Sequence, residues 1–150
     1  MPSTTENASP PPVGTLHHVE IWVPDLSRAT TEWGWLLESL GYTLHQTWDK
    51  GRSWRLGHTY IVFEQSPALT HHQHDRCAPG LNHLAFHVPT ADEVEALTEK
   101  ALNTGWSLLF PDRHPHAGGA HQHAAYLENT DHFEIELVAT QQAPAVRESH

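Results

Sequence analysis

The segment Leu16-His17-His18-Val19-Glu20-Ile21-Trp22-Val23-Pro24 returns 65 positions later as Leu81-Asn82-His83-Leu84-Ala85-Phe86-His87-Val88-Pro89. Leu16, His18, Val23 and Pro24 find the same residue types at Leu81, His83, Val88 and Pro89. A segment that recurs once in a chain of 150 residues predicts two copies of one supersecondary unit. Each copy alternates with period two, so His18, Glu20 and Trp22 share one face of a strand while Val19, Ile21 and Val23 share the other. The repeated polar residue, a histidine, therefore points away from the apolar side.

The elements after each of these strands repeat as well. Pro24-Asp25 supplies a turn and an N-cap, and Leu26, Ala29, Trp33, Leu36, Leu37 and Leu40 follow at helical spacing until Gly41 ends the run. Gly34 within that helix costs about 1 kcal/mol relative to alanine, which points to close packing there. Strands are expected over 42–48, 52–56 and 59–64, with Asp49-Lys50-Gly51 as a hairpin turn. After a linker rich in proline and histidine, a second helix opens on the capping box Thr90-Ala91-Asp92-Glu93. Further strands are predicted over 106–110, 122–127 and 133–139. The fold class is α+β, with two βαβββ modules in tandem at 15–66 and 81–139. Residues 67–80 read as the linker, 1–14 as a flexible arm and 140–150 as a frayed tail.

Composition narrows the functional classes. The formal charge of −10, from 8 basic and 18 acidic residues, disfavours nucleic acid and anionic membrane surfaces as partners. No apolar run approaches the roughly 20 residues that span a bilayer, and the first 14 residues lack a secretory pattern. A cytoplasmic protein acting on a small molecule is expected. The single Cys77 cannot form an internal disulfide. Fifteen histidines, spread through the chain, are the unusual feature of the composition.

Two βαβββ units that each open on a histidine-bearing strand resemble the vicinal oxygen chelate superfamily. That group includes glyoxalase I, methylmalonyl-CoA epimerase, extradiol dioxygenases, fosfomycin resistance enzymes and bleomycin-type binding proteins. The resemblance covers residues 15 to 139. It implies a cup-shaped curved sheet with helices outside, a homodimer, and one divalent metal ion. The histidine of each first strand matches His18 and His83. The glutamate of the last strand matches Glu136 in Asn129-Thr130-Asp131-His132-Phe133-Glu134-Ile135-Glu136-Leu137, where His132 replaces the usual turn glycine; histidine tolerates a left-handed turn better than most residues. In glyoxalase I and the epimerase a fourth ligand comes from the end of the first module, and Glu64 matches it. The implied set is His18, Glu64, His83 and Glu136. Two imidazoles and two carboxylates suit Ni, Zn, Co, Mn or Fe as divalent ions and leave two octahedral positions for substrate oxygens.

The resemblance to glyoxalase I implies a lyase or isomerase that acts through a chelated enediolate, with Glu136 and Glu64 moving the proton. A thiol cosubstrate would fit that chemistry, but no motif names one. Extradiol dioxygenases and fosfomycin-type enzymes need only two histidines and one carboxylate, so they stay open if Glu64 is off the metal. A non-catalytic natural-product binder is the third class. Substrate contacts are expected from Arg113 and His116 in a loop of the second module, from Tyr126, and from Trp54. Glu136 follows His83 by 53 positions where Glu64 follows His18 by 46, and the extra length falls in that loop. His114, His116, His121 and His123 could form a separate zinc site or simply line a solvent loop. Glu20 and Glu134 read as a solvated or salt-bridged rim.

Overall fold

A computed structural model describes residues 9–141; the outermost parts of the expected arm and tail, 1–8 and 142–150, lie outside the described residues. The chain divides into two units, Met1–His72 and Gln73–His150. Among the described residues no helix is long and apolar enough to cross a membrane.

The first unit runs β1 (His18–Trp22), α1 (Leu26–Ser39), β2 (Thr43–Trp48), β3 (Gly51–Leu56) and β4 (Thr59–Glu64). Its sheet has the order β1-β4-β3-β2, with β1 parallel to β4 and the remaining pairs antiparallel. Asp25 caps α1 by accepting a hydrogen bond from the Arg28 amide at 2.9 Å. One stripe of the helix, Ala29, Trp33, Leu36 and Leu37, is fully buried against the sheet, where Trp33 meets Phe63 at 4.9 Å between ring centroids. Each of the two leucines removed from water contributes about 1.5–3 kcal/mol. Gly34 lies where a Cβ would come within 2.9 Å of Cζ2 of Trp54, so the close packing expected from this glycine is present and the indole is its cause.

The second unit repeats the plan with β5 (His83–Val88), α2 (Ala91–Ala101), β6 (Trp106–Leu108), β7 (Ala124–Asn129) and β8 (Glu134–Ala139), in the sheet order β5-β8-β7-β6. The α2 cap is as the sequence predicts, the Thr90 hydroxyl accepting from the Glu93 amide at 3.2 Å. The turn between β7 and β8 is held by Asn129, whose side-chain oxygen accepts from the amides of Asp131 and Phe133. His132 adopts φ 70 there, the left-handed conformation expected of it.

Two expectations need correction. β6 stops at Leu108 rather than continuing to 110, because Phe110 takes φ 54 and turns the chain out of the sheet. β7 begins at Ala124, later than expected, since residues 111–123 form one long irregular loop. The linker divides between the two units. From Gln73 it belongs to the second unit, where His74 stacks on Phe133 at 4.3 Å, and burial holds the His74 imidazole below its ordinary pKa.

Candidate functional site

Parallel pairing of β5 with β8 sets the second unit's polar centre. The register places His83 beside Glu134 and Ala85 beside Glu136. Because alternate residues share a face, His83, Glu134 and Glu136 all project to the same side. Nε2 of His83 stands 3.2 Å from Oε1 of Glu136, and Nδ1 lies 3.7 Å from Oε2 of Glu134. Both glutamates are buried. Across the antiparallel pair, Tyr126 lies directly opposite Glu136 and its hydroxyl hydrogen-bonds the carboxylate. Burial, that hydrogen bond and the negative charges of Glu136 and Glu134 push the Tyr126 phenol up to about 12.

A buried carboxylate needs a partner, and Glu134 takes Arg76 at 2.9 Å from Nη1. Arg76 also lies 3.9 Å from Glu128, which accepts from or pairs with His132 at 2.7 Å. Glu134 is therefore salt-bridged, as one of its two readings held, but it is enclosed rather than on a rim. Arg76 and Asn82 carried no signal in the sequence, since their role depends on the chain folding back over β8. Asn82 lies 2.7 Å from His83 Nδ1 through its side-chain oxygen and donates from Nδ2 to the Arg76 carbonyl at 2.9 Å.

The loop from Pro111 to His123 reaches this neighbourhood. A Cβ on Gly118 would stand 2.6 Å from the Tyr126 hydroxyl and 2.9 Å from Oε1 of Gln122, so a side chain there would displace the phenol or the loop. The Arg113 guanidinium covers the Phe110 ring at 4.8 Å, and that ring meets Tyr126 edge-on at 5.7 Å. Arg113 is exposed, as is His116, which is occupied with the Gln122 carbonyl at 3.2 Å. His114 and His123 turn instead toward α2, both placing Nε2 2.8 Å from Oε1 of Glu95.

In the first unit His18 is exposed and stacks on Tyr60, centroids 4.8 Å apart and planes 3° from parallel. Its Nδ1 meets Nδ1 of His17 at 2.9 Å. Two further expectations fall here. Trp54 is 2% exposed and wedged between Gly34 and Phe63, so it is core and has no face for a substrate. Glu64 pairs with Trp22, whereas Tyr60 pairs with His18, which sets Glu64 four residues, or about 13 Å of strand, along from the histidine's partner. In the second unit Glu136 stands two residues past the histidine's partner; the corresponding place in the first is Val62, opposite Glu20. Strand parity put Glu64 on the correct face, but register puts it two residues too far.

The donor atoms at His83 and Glu136 suit a divalent ion. Ligand bonds of about 2.1 Å give edges of about 3.0 Å in an octahedron and about 3.4 Å in a tetrahedron, and the observed separation is 3.2 Å. Among the described residues no three His, Cys, Asp or Glu side chains form a group able to hold a metal.

Two βαβββ units with a histidine and a glutamate on adjacent parallel strands define a protein of the vicinal oxygen chelate fold. The profile of the Glyoxalase/Bleomycin resistance protein/Dioxygenase superfamily matches residues 17–126, and the chain belongs to that superfamily. It is 43% identical over 126 residues to the uncharacterized protein YqjT of Bacillus subtilis, covering 83% of this chain and 98% of that one. A crystal structure from Bacillus halodurans, of a protein with a provisional glyoxalase designation, is 41% identical with a TM-score of 0.80, over 85% of this chain and 96% of the other. The fosfomycin resistance protein FosX of Listeria monocytogenes, solved with Mn(II) and sulfate, shares the fold at TM-score 0.59 and 19% identity, over 86% and 92% of the two chains.

Proposed function

We propose that this protein is a metal-dependent enzyme that binds one divalent cation through His83, Glu136 and His18 and acts on a small substrate presenting its own oxygen atoms to that cation. The observation that supports it most is the 3.2 Å approach of His83 Nε2 to Glu136 Oε1. His18 enters by its place in the sequence repeat. When bound, the cation would supply Lewis-acid stabilisation of negative charge developing on a substrate oxygen. Tyr126 is protonated at neutral pH, as any phenol of pKa about 10 or above is, and so it donates to Glu136 and holds one carboxylate oxygen in place. Arg113, stacked on Phe110 beside Tyr126, offers an exposed cation to an anionic substrate.

Isomerase or lyase chemistry of the glyoxalase type remains the first reading, now without Glu64 as a ligand or as the proton carrier. The register of β4 favours a second, because a set of two histidines and one glutamate is what fosfomycin-type enzymes and extradiol dioxygenases use. The test is calorimetric titration of chelator-stripped protein with Mn(II), Ni(II), Zn(II) and Fe(II). It is followed by assays of hemithioacetal isomerisation, thiol or water addition to an epoxide phosphonate, and oxygen uptake with catechols. Isomerisation supports the first reading; epoxide opening or oxygen uptake supports the second. A wild-type protein that binds none of the four metals overturns both.

A further inference from the structure

We infer that Asn82 is a positioning residue that selects which nitrogen of His83 faces Glu136. Asn82 donates from Nδ2 to the main-chain carbonyl of Arg76 at 2.9 Å. A carbonyl can only accept, so this contact fixes the amide's orientation and leaves Oδ1, an acceptor, 2.7 Å from His83 Nδ1. Nδ1 must then carry the proton. The carboxylate of Glu134, 3.7 Å from the same nitrogen, makes the same demand.

A neutral imidazole with its proton on Nδ1 has a lone pair on Nε2, and that lone pair faces a carboxylate oxygen at 3.2 Å. Two lone pairs at that distance repel unless positive charge lies with them. The segment from Arg76 to Asn82 thus prepares His83 as a ligand: its carbonyl orients the amide, the amide sets the tautomer, and the Arg76 guanidinium neutralises Glu134 behind the ring. Outer hydrogen bonds of this kind fix ring orientation and are worth about 10- to 100-fold in metal affinity. The inference rests on the metal reading only for its affinity readout; the tautomer is a property of the protein alone.

The experiment compares wild type with Asn82→Ala and Asn82→Asp. Asn82 is exposed, so neither change removes core. Long-range 1H–15N correlation spectra of the metal-free proteins, recorded where the imidazole is neutral, identify the protonated nitrogen of His83. Wild type is expected to carry the proton on Nδ1, Asn82→Ala to shift toward the Nε2 tautomer, and Asn82→Asp, which keeps an acceptor oxygen, to restore Nδ1. Mn(II) affinity should fall about 10- to 100-fold in Asn82→Ala. A wild-type proton on Nε2, or an Asn82→Ala spectrum with the wild-type tautomer, overturns the inference whatever metal is bound. The expected tautomers in a wild-type protein that binds no metal uphold the positioning role and overturn the metal reading.

Discussion

Tyr126 and Glu136 face each other across β7 and β8 in direct register, and the phenol donates its hydrogen bond to a carboxylate that also approaches His83. Burial, then the hydrogen bond and charge of Glu136 and the charge of Glu134, raise the phenol from 10.0 to about 12. A raised folded-state pKa means that the stability this group contributes is complete below pH 10 and is lost as pH rises through about 12. Spectrophotometric titration should therefore show a tyrosine ionising near 12 that disappears in Tyr126→Phe. Burial also raises Tyr42, so the difference between the two titrations is the measurement. An unchanged high-pH limb in Tyr126→Phe would contradict the assignment.

Gly118 tests the same contact from the loop side. A methyl group at this position would stand 2.6 Å from the Tyr126 hydroxyl, so Gly118→Ala must move the phenol or the loop. The expected result is a Tyr126 ionisation shifted down toward 10 with little change in the unfolding midpoint, because residue 118 is exposed. A titration identical to wild type would show that the loop yields and the phenol does not depend on it.

In the first unit, Gly34→Ala sets helix propensity against packing. Alanine gains about 1 kcal/mol in a helix interior, while its Cβ meets the Trp54 indole at 2.9 Å and overpacking costs about 1–3 kcal/mol. Trp54 is enclosed and cannot step aside cheaply, so packing should win. Urea denaturation is expected to show a net loss of about 1 kcal/mol. A stabilised variant would mean that the indole is free to move.

These positions also show how far the sequence reaches. The repeat of Leu16–Pro24 in Leu81–Pro89 carried both β1 and β5, the helices after them, and the face on which His18 and His83 lie, because alternation and capping are local signals. Glu64 shows the limit. Parity names the face of a strand, but which residue lies opposite His18 is set by the pairing of β1 with β4, some 40 positions apart in sequence, and no local pattern encodes it. Trp54 failed for a similar reason, since its burial depends on a glycine in α1. Glu134 looked like surface because its counter-ion, Arg76, comes from a segment without periodicity.

The loop of the second unit carries a pH dependence. Burial pushes the Glu95 carboxyl up, but hydrogen bonds from His114 and His123 and the positive charge of those rings together outweigh it, so its net pKa lies below the ordinary value of 4.5. A depressed folded-state pKa contributes stability that is present above the unfolded value and is lost as pH falls through the folded one. The unfolding midpoint of wild type should thus drop on acidification below about pH 4.5, and Glu95→Gln should drop less over the same interval. Equal slopes would show that the two histidines do not act on Glu95.

Whether Glu136 holds the cation is read from the Mn(II) binding isotherm of chelator-stripped protein beside that of Glu136→Gln, which keeps the shape and the Tyr126 contact but removes the charge. One site per chain is expected in wild type, weakened at least 10-fold in the variant, since a neutral amide is a poor ligand for a hard divalent ion. Equal affinity in the two proteins would place the metal elsewhere and contradict the assignment of Glu136.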